Sequence, residues 1–203
     1  KGNTNGIKEY MLNELEEIHD IKTEKGSLAN IDIINKIVEV TSKINREICV
    51  AINRKGSVIG ISIGDSNTAS LPIIDTSKSK LSGVRIIHTH PNSSAKLSNV
   101  DISALQAMRL DVISAIGITD DKITGVSLGF CKFIDGELSY EESPILTIDE
   151  IESMDLSGKY EKIEKEFREN EIKEGNWERA IIVGIGTEES LNGLKGLADA
   201  CDI

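Results

Sequence analysis

Residues 84–101, VRIIHTHPNSSAKLSNVD, decide the fold of this chain. The stretch opens with the apolar run 84–87, which predicts a buried strand, and His88 and His90 follow two positions apart. Side chains at positions i and i+2 of a strand point to the same face, so both imidazoles can contact one small ligand. Pro91 has no N–H for a strand ladder and is predicted to end the strand.

A helix is predicted after the polar loop 92–97, with Ser98 at its start and Asp101 three residues later. Two histidines and one carboxylate at a strand–loop–helix corner are a suitable donor set for Zn²⁺, and three protein ligands leave a fourth position open. Ser-x-x-Asp before an apolar helix is also a variant of the capping box, which accounts for both residues without a metal. The joint spacing with His88 and His90 favours a metal site, because two of the three histidines of the chain lie here.

The motif His-Thr-His-Pro at 88–91, followed after six residues by Ser-x-x-Asp at 98–101, resembles the metal-binding motif of the JAMM/MPN metallohydrolases. This group includes deubiquitinase-type isopeptidases. The family also carries a glutamate at the start of the strand after its first long helix, and Glu47 in INREICVAI occupies this place. The resemblance implies that Glu47 is the general base and acid for the attacking water, and that Ser98 helps to stabilise the oxyanion. The implied zinc ligands are His88, His90 and Asp101, which Mn²⁺ or Fe²⁺ can also use.

The surrounding pattern predicts an α+β fold. Apolar residues recur at the helical period in 7–18 and 30–45, and the helix that carries Asp101 is predicted to continue to Leu110. The JAMM resemblance implies α/β/α layers, with a curved mixed sheet, the first helix on one face and the Asp101 helix on the other. The predicted strands are 47–52, 57–63, 84–87, 112–119, 125–134 and 138–140, with a further short strand at 71–74.

Composition excludes several classes of protein. The net charge of −11 and a pI near 4.8 argue against a general nucleic-acid-binding surface, so we expect no direct DNA binding. The sequence contains no apolar run near 18 residues, so we expect no membrane span. Cys49, Cys131 and Cys201 are odd in number and far apart, which favours a reducing, cytoplasmic location over a disulfide framework.

Composition also divides the chain into three predicted parts. Residues 1–145 form the JAMM/MPN-like domain. Segment 146–176 is strongly charged, with Glu/Lys pairs at helical spacing, and predicts a solvated linker helix. Residues 177–203 predict one strand and one helix, which cannot bury a core alone, so they are interpreted as the start of a truncated second α/β unit. Because the sequence begins with Lys1 rather than Met, we expect it to be a piece of a longer protein or to have lost a few residues at its start.

Two stretches resemble HflX-type GTPases. ERAIIVGI and EESLNGLKGLADACDI, within 178–203, resemble the opening strand and helix of the HflX N-terminal domain. Residues 2–18, GNTNGIKEYMLNELEEI, resemble the start of the longer bacterial forms, which carry an extra domain ahead of the GTPase. The chain has no Gly-x-x-x-x-Gly-Lys-Ser/Thr motif to cradle phosphates, so GTP and Mg²⁺ are expected only in an absent G domain.

Together the resemblances imply the N-terminal region of an HflX-like, ribosome-associated GTP-binding protein that carries a zinc metallohydrolase domain. The expected substrate is an amide or isopeptide bond in a peptide or protein. The alternative is a catalytically silent JAMM-like scaffold that docks the GTPase to the ribosome or to protein partners. A RadC-like protein of DNA metabolism shares the motif, but the acidic charge and the HflX-like tail argue against it.

Overall fold

The computed structural model describes residues 2–64 and 80–173. These residues form a six-stranded mixed sheet with five α-helices, which confirms the predicted α+β class. The predicted strand 71–74 and the HflX-like stretch 178–203 lie outside the described residues. The helices are α1 Glu9–Glu16, α2 Ile31–Ile44, α3 Asn99–Ala107, α4 Ile148–Glu152 and α5 Ser157–Lys173. The strands are β1 Glu47–Asn53, β2 Val58–Gly64, β3 Val84–Pro91, β4 Val112–Thr119, β5 Lys122–Ile134 and β6 Glu137–Glu142.

The strand order is β2-β1-β3-β4-β5-β6, and only the β3–β4 pair is parallel. A parallel pair cannot be joined by a hairpin, so the chain must cross over one face of the sheet between these two strands. The crossover consists of the polar loop after β3 and helix α3. The predicted ligand loop and ligand helix therefore return across the strand that carries the two histidines.

Helices α2 and α3 cover opposite faces of the sheet. On the α2 face, the buried Thr41 Oγ1 lies 2.7 Å from Thr89 Oγ1 of β3. On the α3 face, a Cβ atom at Gly129 of β5 would lie 2.7 Å from Leu97 Cδ1 and 3.3 Å from Leu105 Cδ2. The glycine thus allows α3 to pack closely on the sheet. Because successive strand residues alternate, Thr89 faces α2 while its two histidine neighbours face α3.

The bounds of α2 follow from local chemistry. The Asn30 side chain accepts a hydrogen bond from the N–H of Asp32 at 2.9 Å, and Asn45 ends the helix in the left-handed conformation with φ 53°. Asparagine is favoured both as an N-cap residue and in the left-handed conformation at the end of a helix. The helix buries an apolar stripe with one threonine, as the periodicity predicts. Its buried residues are Ile33, Ile34, Ile37, Val38, Val40 and Thr41.

The end of α3 and the start of β5 differ from the predicted elements. Helix α3 ends at Ala107 rather than Leu110, because Arg109 adopts a positive φ of 48° and turns the chain into β4. Strand β5 begins at Lys122 rather than Gly125, because Asp120 and Asp121 both have positive φ and form a tight hairpin turn.

The charged segment 146–176 begins as two helices, α4 and α5, rather than as one solvated helix. Four apolar side chains of this segment are buried, and the Phe167 ring packs edge-on against Phe133 with 4.9 Å between the centroids. A few apolar positions therefore attach the segment to the core, although charged residues dominate its composition. These four residues are Ile151, Leu156, Ile163 and Phe167.

Candidate metal centre

Three potential metal ligands converge where β3 meets the first turn of α3. His88 Nε2 lies 2.9 Å from His90 Nε2 and 3.2 Å from Asp101 Oδ1, and His90 Nε2 lies 3.8 Å from Asp101 Oδ2. The side chains are only 5%, 11% and 9% exposed, respectively. One ligand atom from each residue lies within 4.8 Å of the others, so this group could hold a metal ion.

His90 is oriented by the loop that follows β3. Its Nδ1 lies 3.1 Å from the carbonyl oxygen of Ser94, a geometry in which Nδ1–H donates and the lone pair stays on Nε2. Metal-binding histidines commonly have this arrangement, in which a backbone carbonyl fixes the ring and the tautomer. Burial, and then the charge of neighbouring His88, lowers the pKa of His90, which favours the neutral ring that a metal requires.

The loop is itself held against the sheet. The Ser127 hydroxyl of β5 donates to the Ala95 carbonyl, and the Leu97 N–H donates to Glu142 Oε1 at 3.2 Å. A Cβ atom at Gly117 of β4 would lie only 2.5 Å from the Ala95 nitrogen. The absence of a side chain at Gly117 therefore permits the loop to approach the strand and places the Ser94 carbonyl beside His90.

Asp101 has two roles that use different oxygen atoms. Its Oδ2 accepts the N–H of Ser98 at 2.7 Å, and Ser98 Oγ accepts the N–H of Asp101 at 3.2 Å, which completes a capping box. Its Oδ1 faces His88. Burial alone would raise the pKa of Asp101, but His88 and Ser98 together hold that pKa well below its usual range. Asp101 is therefore a carboxylate at neutral pH.

The donor set is compatible with a divalent cation. His88 Nδ1 is buried, and none of the residues that the structure describes forms a hydrogen bond with it. On the other side of the ring, Nε2 faces a second imidazole nitrogen and a carboxylate oxygen, so in the neutral Nδ1–H tautomer its lone pair converges with the lone pairs of these two atoms. A cation between the three side chains would satisfy these lone pairs and compensate the charge of Asp101.

Glu47, the predicted proton carrier, lies on the same face of the sheet as the histidines. Cys49 of β1 pairs with His88 of β3 in an antiparallel register, so Glu47, two residues earlier, projects opposite His90. Directly opposed residues of antiparallel strands share a face. Glu47 is half-buried at the first position of β1. The register thus places Glu47 on the ligand face of the sheet, and its chemical role stays a prediction.

Sequence reasoning did not find three residues that shape this site. The Ser94 carbonyl accepts a hydrogen bond from His90, Gly117 leaves space for the loop, and Cys49 of β1 pairs directly with His88 of β3. A glycine within the β-branched run VISAIGIT was a usable signal, since an isolated strand glycine often marks a close backbone approach. Burial raises the pKa of the Cys49 thiol to about 12, so it stays protonated at neutral pH.

Comparisons with protein-family models, with curated proteins and with solved structures give no match to this chain. The JAMM/MPN and HflX resemblances accordingly rest on the motifs quoted above. Among residues 2–64 and 80–173, no helix has both the length and the apolar character needed to span a membrane.

Proposed function

We propose that the domain is a metal-dependent hydrolase of amide or isopeptide bonds, with a zinc ion bound by His88, His90 and Asp101. The convergence of two imidazole nitrogens and one carboxylate at a buried corner carries this proposal. The set leaves room for a further ligand, as in catalytic rather than structural zinc sites. The resemblance to the JAMM/MPN motif supports the same chemistry and the choice of a peptide or protein substrate.

The side chains divide the work as follows. A bound zinc ion would supply Lewis-acid chemistry, which acidifies water and polarises a carbonyl oxygen. Glu47 accepts the proton of the attacking water and delivers it to the leaving amine, because its carboxylate lies on the ligand face of β1. Ser98, at the exposed start of α3, is placed to donate from its hydroxyl to the developing oxyanion.

The first test is the metal content of the purified chain, measured by mass spectrometry beside a His88→Ala/His90→Ala variant. We expect about one zinc per chain and its loss in the double variant. His19→Ala is the matched control, because this third histidine is exposed and distant in sequence from the site. Equal metal content in all three proteins, or none in any, would refute the metal site.

The second test separates catalysis from binding. A metal-dependent peptidase or isopeptidase activity should fall by about 100-fold or more in Glu47→Gln, while zinc content stays at the wild-type level. Retained activity in Glu47→Gln would exclude Glu47 as the proton carrier. The same variant keeps the size of the side chain, so a folding defect is not expected to explain a loss of rate.

One observation favours a second candidate function. The reciprocal hydrogen bonds between Ser98 and Asp101 account for both residues as a helix cap, without a metal. In that case the domain is a JAMM-like scaffold that docks an HflX-like protein to the ribosome or to a protein partner. A metal-free chain with unchanged thermal stability and no hydrolytic activity, but with retained sedimentation on ribosomes, would favour the scaffold.

A further inference from the structure

A pocket lined by several charged residues lies away from the candidate metal centre. Its volume is about 250 Å³, and it is formed where Arg85 of β3, Arg54 after β1 and the start of α5 meet. Arg85 precedes His90 by five strand residues, which corresponds to roughly 16 Å. Because 85 and 90 differ in parity, the two side chains also point to opposite faces of the sheet. The pocket is therefore independent of the proposed hydrolase site.

Arg85 places a buried positive charge in this pocket. The residue is only 2% exposed, and its guanidinium donates to two neutral acceptors, the carbonyls of Ser27 and Asn53. No carboxylate among the described residues forms an ion pair with Arg85 within 4.0 Å, and its buried Nε has no hydrogen-bond partner there. An arginine stays charged at neutral pH, and a buried charge needs compensation.

Arg54, the other arginine of the pocket, is already compensated. Its guanidinium binds Asp111 through two contacts of 2.6 and 2.9 Å, and it also pairs with Glu164. Asp111 accepts the Gly83 N–H as well, at 3.0 Å. Both carboxylates are therefore in direct contact with Arg54, and Arg85 has no carboxylate partner of its own within 4.0 Å among the described residues.

The remaining lining offers hydrogen-bond donors suited to an anion. Lys25 and Ser157 lie at the pocket, and the buried Tyr160 hydroxyl lies close to Arg85. Ser157 is the first residue of the 17-residue helix α5, whose N-terminal end carries partial positive charge. Besides Asp111 and Glu164, which pair with Arg54, two acidic groups oppose this field: Glu161 lines the exposed rim, and Asp155 accepts the Ser157 N–H at 2.9 Å.

We propose that this pocket binds a small oxyanion of the phosphate type, with Arg85 as the buried counter-charge and with Tyr160, Ser157 and Lys25 as further donors. Arginine, hydroxyl groups and a helix N-terminus are the usual partners of phosphate oxygens. The volume is smaller than that of pockets for drug-sized ligands, so it suits free phosphate or the phosphate group of a small ester.

The test is titration calorimetry of the full chain with inorganic phosphate and, separately, glycerol phosphate, at constant ionic strength. We expect binding with a Kd below about 1 mM. The tighter of the two ligands identifies the source of the phosphate group. The titration is repeated in His90→Ala, which should bind equally well. Loss of binding in His90→Ala would place the phosphate at the metal centre and would overturn the pocket.

Substitutions at the other lining residues test the pocket without removing the Arg85 contacts to the backbone. Tyr160→Phe should weaken binding by about 5- to 10-fold, because it deletes one hydroxyl donor. Lys25→Gln should weaken it by about 3-fold, and Glu161→Gln should tighten it by about 2-fold. Lys132→Gln, an exposed lysine on β5, is the charge-matched control and should have no effect.

Two results overturn the proposal. One is the absence of binding to either ligand at 10-fold above the expected Kd, about 10 mM. The other is an unchanged Kd in both Tyr160→Phe and Lys25→Gln, which would place the anion elsewhere on the chain. Failure of this proposal leaves the hydrolase proposal intact, since the two sites share no residue.

Discussion

Helices α3 and α4 both begin with a capping box, but the surroundings of the two boxes differ. In α3 the pair is Ser98 and Asp101, and in α4 it is Thr147 and Glu150, each with the reciprocal hydrogen bonds of a capping box. Glu150 is exposed, and its Oε2 serves only Thr147 in the contacts that the structure describes. Asp101 is buried, and it uses one oxygen for the cap while the other faces His88.

The electrostatics separate the two boxes further. The hydrogen bond from the Thr147 N–H lowers the pKa of Glu150, and this cap is sufficient to explain the shift. At Asp101 burial opposes ionisation, and it takes His88 as well as Ser98 to keep the pKa low. A cap alone therefore explains an exposed Glu150. It does not explain why a chain would bury a carboxylate between two imidazoles.

The largest expected difference concerns the acidic residue of each box. Asp101→Asn keeps an oxygen that can accept the Ser98 N–H but removes the anionic ligand, so zinc affinity should fall by more than about 100-fold. Glu150→Gln should leave zinc affinity unchanged. Competition with a chromogenic zinc chelator measures both. Equal affinities in the two variants would reduce Asp101 to a capping residue.

Removal of the metal gives the next effect. Zinc at 100 times its Kd should stabilise the folded state by about 2.7 kcal/mol, since binding to the native state alone shifts the unfolding equilibrium. For a domain of this size, that corresponds to a Tm difference of roughly 5–10 °C between zinc-loaded and chelator-treated chains. Scanning calorimetry measures the difference. Asp101→Asn should show no Tm difference between zinc-loaded and chelator-treated chains. An unchanged Tm of the wild-type chain after chelator treatment would contradict the metal site.

A smaller effect on zinc affinity is expected at Gly117. This residue acts on the site only through the loop that precedes the capping box of α3. In Gly117→Ala the new Cβ would lie 2.5 Å from the Ala95 nitrogen and 2.9 Å from the Ser94 carbonyl carbon. The loop must move, so His90 loses its orienting acceptor, and zinc affinity should fall by about 10-fold.

The matched glycine is Gly158 in α5, where a Cβ atom would meet nothing within 4 Å. Gly158→Ala should leave zinc affinity unchanged, and it should keep or raise stability, because alanine is the better helix former. If Gly117→Ala bound zinc as tightly as Gly158→Ala, the loop would not orient His90. Isothermal titration with zinc compares the two variants directly.

The smallest effect tests the hydroxyls. Ser98→Ala and Thr147→Ala should each cost about 1 kcal/mol of unfolding free energy, measured by urea denaturation, because each removes one N-cap acceptor. Only Ser98→Ala should also reduce turnover, since only its hydroxyl lies beside the ligands. A loss of activity in Thr147→Ala of similar size would show that the rate follows stability rather than the oxyanion contact.

The sequence was sufficient for elements whose signals are local. Asn30 and Asn45 mark the ends of α2, and the apolar run 112–119 gives the bounds of β4 without error. The clustering of His88, His90 and Asp101 was also predictable, because these residues occupy fixed positions within one strand–loop–helix corner. Each of these predictions depends on residues that are close in the chain.

Features that depend on tertiary contacts were not predictable. The Ser94 carbonyl reaches His90 only because β3 and β4 pair in parallel, which brings Gly117 beneath the loop. Hydrophobic periodicity gives no information on the close contact between this loop and Gly117. The burial of Phe167 was similarly hidden, since the charged residues around it dominate the pattern. The predicted domain boundaries and the HflX-like tail stay predictions.

The crossover between β3 and β4 has a consequence for how the site assembles. His88, His90 and Asp101 all fall within residues 88–101, so little chain entropy is lost when they are brought together. Glu47 comes from β1, 41 residues before His88, and reaches the site only through strand pairing. Fraying of the first residue of β1 would therefore displace the proposed proton carrier while the three proposed ligands stay together, so a chain frayed at this end is expected to lose turnover before it loses zinc.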